Sequence, residues 1–189
     1  MNSDGKHPVS VRLVAFLVGV LAISIAPLCS YASVSPLTQF TFFLHDDVLV
    51  VNSSAFSLIP PLLSAPVNSF FGGFFGFDDS MTLLPDPSSE EIGRGRGMYL
   101  FVENKEMKVT EAPGVEYVWT TQFNEASGHG NRTTLSFRGY YKLTDPLPEI
   151  GIVGGTGKFK MARGWADIKG KIVRYSALME ITVHFIYGY

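Results

Sequence analysis

Beyond its first 32 residues the chain has no helical period in its apolar positions, but several stretches alternate with period two between clusters of Gly, Pro, Asn and Asp. In the first, Phe40, Phe42, Leu44 and Asp46 share one face, with Thr41, Phe43, His45 and Asp47 on the other. Further strands are expected over 74–83, 98–103, 115–123, 133–142, 149–153, 159–168 and 176–187. Such spacing predicts an antiparallel barrel or sandwich. Segments 40–46 and 176–187 are apolar on both faces, whereas a strand with one wet side alternates more cleanly. Their outer face therefore needs cover, by the protein's own loops or by another copy of the chain, and a homo-oligomer is expected. Residues 52–69 and 84–97, rich in Ser, Pro, Asn and Gly, read as irregular connections and as rims of a pocket or surface loops.

The leader changes the compartment. Residues 13–26 form an uncharged apolar run behind Lys6 and Arg12, too short for the about 20 residues that span a bilayer, and Ser30-Tyr31-Ala32 supplies small residues for cleavage after Ala32. A secretory signal peptide over 1–32, a single mature domain over 33–189 and no stable membrane insertion are expected. The only cysteine, Cys29, lies inside that leader, so the mature chain must be held by packing or assembly rather than by a disulfide. The formal net charge of −2 argues against nucleic acid as a partner. Secretion makes the sequons at Asn52 and Asn131 candidate glycosylation sites.

The turn Gly154-Gly155-Thr156-Gly157-Lys158 invites a phosphate-binding reading and fails it. Ile152 stands where a P-loop needs glycine, Phe159 where it needs Ser or Thr, and no βαβ unit surrounds them. The glycines instead suit a tight corner where backbone meets backbone. If alternation holds beyond it, Phe159, Met161, Arg163 and Trp165 share a face, and a guanidinium there must snorkel out or find a carboxylate such as Asp46 or Asp78. Burial would raise such a carboxyl's pKa and the arginine would lower it, and an acid held partly protonated can donate to a substrate oxygen. Equally, Asp46-Asp47 and Asp78-Asp79 can cap backbone donors at strand ends. His45, His129 and His184 lack metal-ligand spacing; no metal and no cofactor are expected, and His45 and His184 read as strand residues satisfied by neighbours. The glycines of the 70–77 run read as bulges in a barrel wall.

Four segments, Phe42-Phe43-Leu44-His45-Asp46-Asp47, Phe77-Asp78-Asp79-Ser80-Met81-Thr82, Gly93-Arg94-Gly95-Arg96-Gly97-Met98-Tyr99 and the glycine turn running into Met161-Ala162-Arg163-Gly164, come in an order and spacing that resembles the plant dirigent proteins. The resemblance implies an eight-stranded antiparallel barrel, assembled as a trimer and secreted to the apoplast and cell wall. It also implies a function: stereoselective coupling of monolignol phenoxy radicals that a partner laccase or peroxidase generates, with pocket acids assisting ring closure. Its catalytic set falls on Asp46, Asp78, Tyr99 and Arg163. Phe42, Leu44, Phe123, Lys158 and Phe159 are the expected substrate contacts.

The chain also departs from the family. Lys158 stands where many lignan-forming members carry an acid, the cysteine pair of many members is missing, and Arg138 occupies a position commonly small or apolar. Two further functions fit the same barrel: a non-catalytic container for an apolar ligand or a wall-lignification scaffold, and a cyclase or dehydratase of a phenolic intermediate.

Overall fold

The computed structural model describes residues 36–47, 53–61, 69–108, 111–142, 144–173 and 176–187. The leader, Cys29 and Asn52 lie outside the described residues. Among the described residues nine strands follow one another, each antiparallel to its neighbours: β1 (Thr38–Asp47), β2 (Ala55–Ile59), β3 (Phe74–Thr82), β4 (Glu91–Phe101), β5 (Gly114–Phe123), β6 (Thr134–Lys142), β7 (Glu149–Thr156), β8 (Arg163–Val173) and β9 (Ser176–Ile186). Strands β3 to β9 form a meander, and β1 lies between β9 and β3. On the β3 edge, β1 pairs with Ser80–Thr82 through His45, Leu44 and Phe43, and β2 takes over further along, with Ala55 opposite Phe77 and Phe56 opposite Gly76. Strands β1 and β2 thus make one interrupted stave, and the molecule is an all-β, eight-stranded antiparallel barrel.

Two strands begin where irregular connections were expected. Strand β2 lies inside 52–69; its Phe56, Leu58 and Ile59 are all exposed, so no buried stripe marked it. Strand β4 starts at Glu91, inside 84–97. Its Gly93, Gly95 and Gly97 alternate with Arg94 and Arg96, which is period two with glycine on the inward side. The reason is crowding within. A Cβ on Gly95 would stand 2.8 Å from Leu44 Cδ2, and one on Gly97 only 2.3 Å from the Val118 carbonyl oxygen.

The interior is filled by the inward row of each strand: Phe42 and Leu44, Phe75 and Phe77, Tyr99 and Phe101, Tyr117 and Trp119, Leu135, Phe137 and Tyr141, Ile150 and Ile152, Ala166 and Ile168, Ile181, Val183 and Phe185. Of the expected glycine corner, Gly154, Gly155 and Thr156 instead extend β7, paired with Ser136, Leu135 and Thr134, and the chain turns only from Gly157 onward. Gly157 has φ of 60°, and a Cβ on Gly155 would lie 2.5 Å from the Thr134 carbonyl. A 3-10 turn then spans Gly157–Phe159 and Met161 adopts φ of 65°, so the chain does not run straight from Phe159 into β8.

Candidate functional site

Asp46 is the last inward residue of β1, and Asp79 is inward on β3 two places beyond Phe77. Both line one cavity together with Leu44, Phe77, Tyr99, Tyr117, Trp119, Tyr141 and Met179. Its empty volume is about 270 Å³, part of it open to solvent. The walls are aromatic and mutually stacked: Tyr99 lies 5.0 Å from Phe75 at 6°, and Tyr117 lies 4.7 Å from Tyr141 at 3°.

Asp79 is fully buried, and Ser54 donates to its Oδ1 at 2.6 Å. Ser54 is itself pinned where β1 gives way to β2. Its N–H donates to the Asp47 carbonyl, its hydroxyl accepts from the Asp47 N–H, and its carbonyl accepts from the Asp78 N–H, each at 2.9 Å. Asp79 Oδ2 and Asp46 Oδ1 are buried without a hydrogen-bond partner. Burial foremost, with the field of Asp47 added, pushes Asp46 up to about 6. Burial and then the charge of Asp46 push Asp79 up to about 8, against the opposing pull of Ser54 and Arg94. Near neutrality one carboxyl holds its proton while the other is ionised, the arrangement that separates an acid from a base. Burial also raises the phenols: Tyr99 with help from both carboxylates, and Tyr141 to about 12. These tyrosines stay neutral donors.

Of the catalytic set expected from the sequence, Asp46 and Tyr99 reach the cavity and two residues do not. Asp78 points outward, where Arg94 Nε donates to its Oδ1 at 2.6 Å and Arg96 Nε to its Oδ2 at 3.1 Å, holding its carboxyl below the usual range despite some burial. Its neighbour Asp79 occupies the inward place, since adjacent strand residues face opposite ways. Arg163 also faces outward, donating through Nη1 to the Val153 carbonyl at 2.6 Å and to that of Ala162 at 3.1 Å. The expected alternation fails because the turn and Met161 intervene, and an offset of one position moves a side chain to the other face.

Among the expected substrate contacts only Leu44 lines the cavity. Phe42, Phe123 and Phe159 belong to a closed aromatic cluster with Phe40, Phe185 and His129; Phe40 to His129 measures 4.4 Å and Phe159 to Phe185 5.3 Å. Lys158 is exposed and donates to the Gly128 carbonyl at 3.0 Å, away from the cavity lining. Arg138 pairs with Glu116 on the outer wall. Asn131 is exposed in the turn between β5 and β6. His45 Nε2 meets Thr82 Oγ1 at 2.8 Å, and His184 Nε2 meets Asp167 Oδ2 at 3.0 Å. Among the described residues no group of His, Cys, Asp or Glu converges as metal ligands. Sequence reasoning passed over Asp79, Tyr117, Trp119, Tyr141 and Met179. The signal for most of them was present, since each of these tyrosines and Trp119 sits on the inward parity of a strand that was expected.

A family model described as a dirigent-like protein matches residues 37–186. Dirigent protein 1 of Arabidopsis thaliana is 33% identical over 147 residues, covering 77% of this chain and 76% of that protein. Pterocarpan synthase 1 of Glycyrrhiza echinata is 28% identical over 181 residues, covering 89% and 92% respectively. Among solved structures, the pterocarpan synthase dirigent protein GePTS1 superposes with a TM-score of 0.69 at 29% identity, over 82% of this chain and 92% of that one.

Proposed function

The chain belongs to the dirigent family, and from that premise we propose that its barrel closes a ring in a phenolic intermediate by acid–base chemistry, Asp79 serving as acid and Asp46 as base. One observation carries this: two carboxyl groups buried together on an aromatic-lined cavity, each with an oxygen free of partners and with pKa values pushed apart.

The chemistry follows from the two protonation states. Asp79 donates its proton to a benzylic hydroxyl; the C–O bond breaks and water leaves, while the phenol's proton passes to Asp46, yielding a quinone methide. A second hydroxyl of the substrate then adds to the methide carbon and closes the ring. Its proton goes to Asp79, and Asp46 returns a proton to the former carbonyl oxygen, restoring both groups. The rings of Tyr99 and Tyr117 supply stacking surface, and the neutral hydroxyls of Tyr99 and Tyr141 are donors for substrate oxygens, that of Tyr117 being hydrogen-bonded to Tyr141. Similarity to relatives named pterocarpan synthase supports a ring-forming role.

Ring closure suits the geometry better than steering two monolignol radicals made by a laccase or peroxidase. Closing a ring in one molecule asks less room of an enclosed cavity than holding two molecules face to face, and Arg163 faces away from it. The test uses purified protein with a racemic phenol that carries a benzylic alcohol and a second hydroxyl placed to cyclise, followed by chiral chromatography. Enantiomerically enriched cyclic product is expected, reduced at least about tenfold by Asp79→Asn. Enrichment seen only in a parallel reaction of coniferyl alcohol with laccase would establish radical steering instead. No enrichment in either, with probe affinity unchanged in Asp79→Asn, would leave a container.

A further inference from the structure

The acid–base reading uses two of the three buried, partnerless polar atoms that belong to cavity-lining residues. The third is Trp119 Nε1, buried without a partner on a residue only 4% exposed. An indole nitrogen can only donate, and a buried donor left unmade is costly in a way that an apolar ring of the same shape is not. A phenylalanine would fill much of this wall without that cost. The indole is, moreover, held in place from several sides. It stacks on Phe137 at 4.7 Å and 22°, stands edge-on to Tyr117 at 6.1 Å and 85°, and has Gly97 beside its backbone, where an added Cβ would come within 2.4 Å of Trp119 Cβ. The ring therefore has little freedom to turn its N–H toward another partner.

We infer that Trp119 is the specificity-determining donor of this cavity, its Nε1–H meeting an acceptor oxygen of the bound molecule other than the oxygen that Asp79 protonates. The inference rests on the acid–base reading of the same cavity. It defines the ligand class as a compact aromatic molecule bearing two oxygens, one a hydroxyl that reacts and the other an ether or carbonyl. The second oxygen is uncharged, because an anion would lie in the field of ionised Asp46. A carbon in its place would leave the indole N–H unpaired in the complex, and sites with buried polar groups discriminate strongly against such analogues.

A pair of bicyclic probes isolates the second oxygen: 4-chromanol, which has it as a ring ether, and 1-tetralol, which has CH₂ instead. Titration calorimetry on the wild type is expected to show 4-chromanol binding about five- to tenfold tighter. In Trp119→Phe that preference should shrink to within about twofold, with 1-tetralol still bound. As a measurement independent of that variant's folding, the indole N–H resonance of Trp119, assigned by its persistence in Trp165→Phe, should move downfield with 4-chromanol and not with 1-tetralol. Equal affinities in the wild type, binding of neither probe, or a preference that survives in Trp119→Phe would each overturn the inference. Asp79→Asn keeps the indole and should keep the preference for 4-chromanol. An Asp79→Asn protein that retains full ring-closing activity would thus defeat the acid–base reading while leaving the role of Trp119 standing.

Discussion

Asp78 and Asp79 are neighbours in the chain with opposite electrostatic fates. Asp78 is held ionised on the outer wall between two arginines, while Asp79 is stripped of water and faces another acid. That difference has a thermodynamic signature. The folded values of Asp46 and Asp79, about 6 and about 8, lie above the about 3.9 of an unfolded aspartate. Between about pH 4 and pH 8 these two groups bind more protons in the native state than in the unfolded chain, and their contribution to stability falls as pH rises through that window, against a smaller opposing contribution from His45 and His129, whose pKa values burial lowers. Urea midpoints should therefore be lower at pH 8.5 than at pH 5. Asp79→Asn, still able to accept from Ser54 but unable to ionise, should flatten the dependence and exceed the wild type at pH 8.5. A wild-type midpoint that climbs between those two pH values would show that the pair is not buried as described.

At the scale of elements, β4 and the start of β8 decide what the interior contains. Gly97 lets the Val118 carbonyl and Trp119 approach β4 closely, so Gly97→Ala should cost about 1–3 kcal/mol by overpacking, read as a lower denaturation midpoint, and should disturb the cavity along with it. The β8 corner makes a contrasting prediction. Arg163 ties the corner to the Val153 and Ala162 carbonyls from outside, so Arg163→Lys should leave kcat for ring closure unchanged and lower stability by no more than about 1 kcal/mol. A tenfold loss of kcat with unchanged folding would return Arg163 to the substrate. Both strands also show where pattern reading breaks down. Alternating glycine in β4 looks like loop composition until the bulk pressing against it from Leu44 and Trp119 is seen. A 3-10 turn followed by one positive-φ residue before β8 is enough to turn a guanidinium from lumen to surface.

At the scale of the whole molecule the outer wall carries an exposed apolar row. Phe56 on β2, then Met98 on β4 and Val118 on β5, follow in register across Gly76, flanked by Leu58, Leu100 and Tyr140. Such a row suits a subunit contact. Light scattering is expected to show a homo-oligomer, a trimer by family resemblance, and Val118→Glu should convert it to monomers; a wild-type monomer at micromolar concentration would rule this out. Export is tested separately. N-terminal sequencing of secreted protein should begin at Ser33, and an intact 13–26 segment retained in membranes would contradict a cleaved leader.

The period of two, the turn glycines and the inward row of β1 were determined by the sequence itself. They depend on local chirality and on apolar residues seeking one face. The barrel's closure and the partnership of Asp46 with Asp79 were decided only by tertiary structure. They depend on β1 ending beside β3 and on Ser54 standing just before the strand that continues its edge, contacts between residues far apart in the chain. The same holds for the two raised pKa values and the unpaired indole of Trp119. Desolvation and missing partners are properties of what packing places around a group, and no spacing of residues along a chain encodes them.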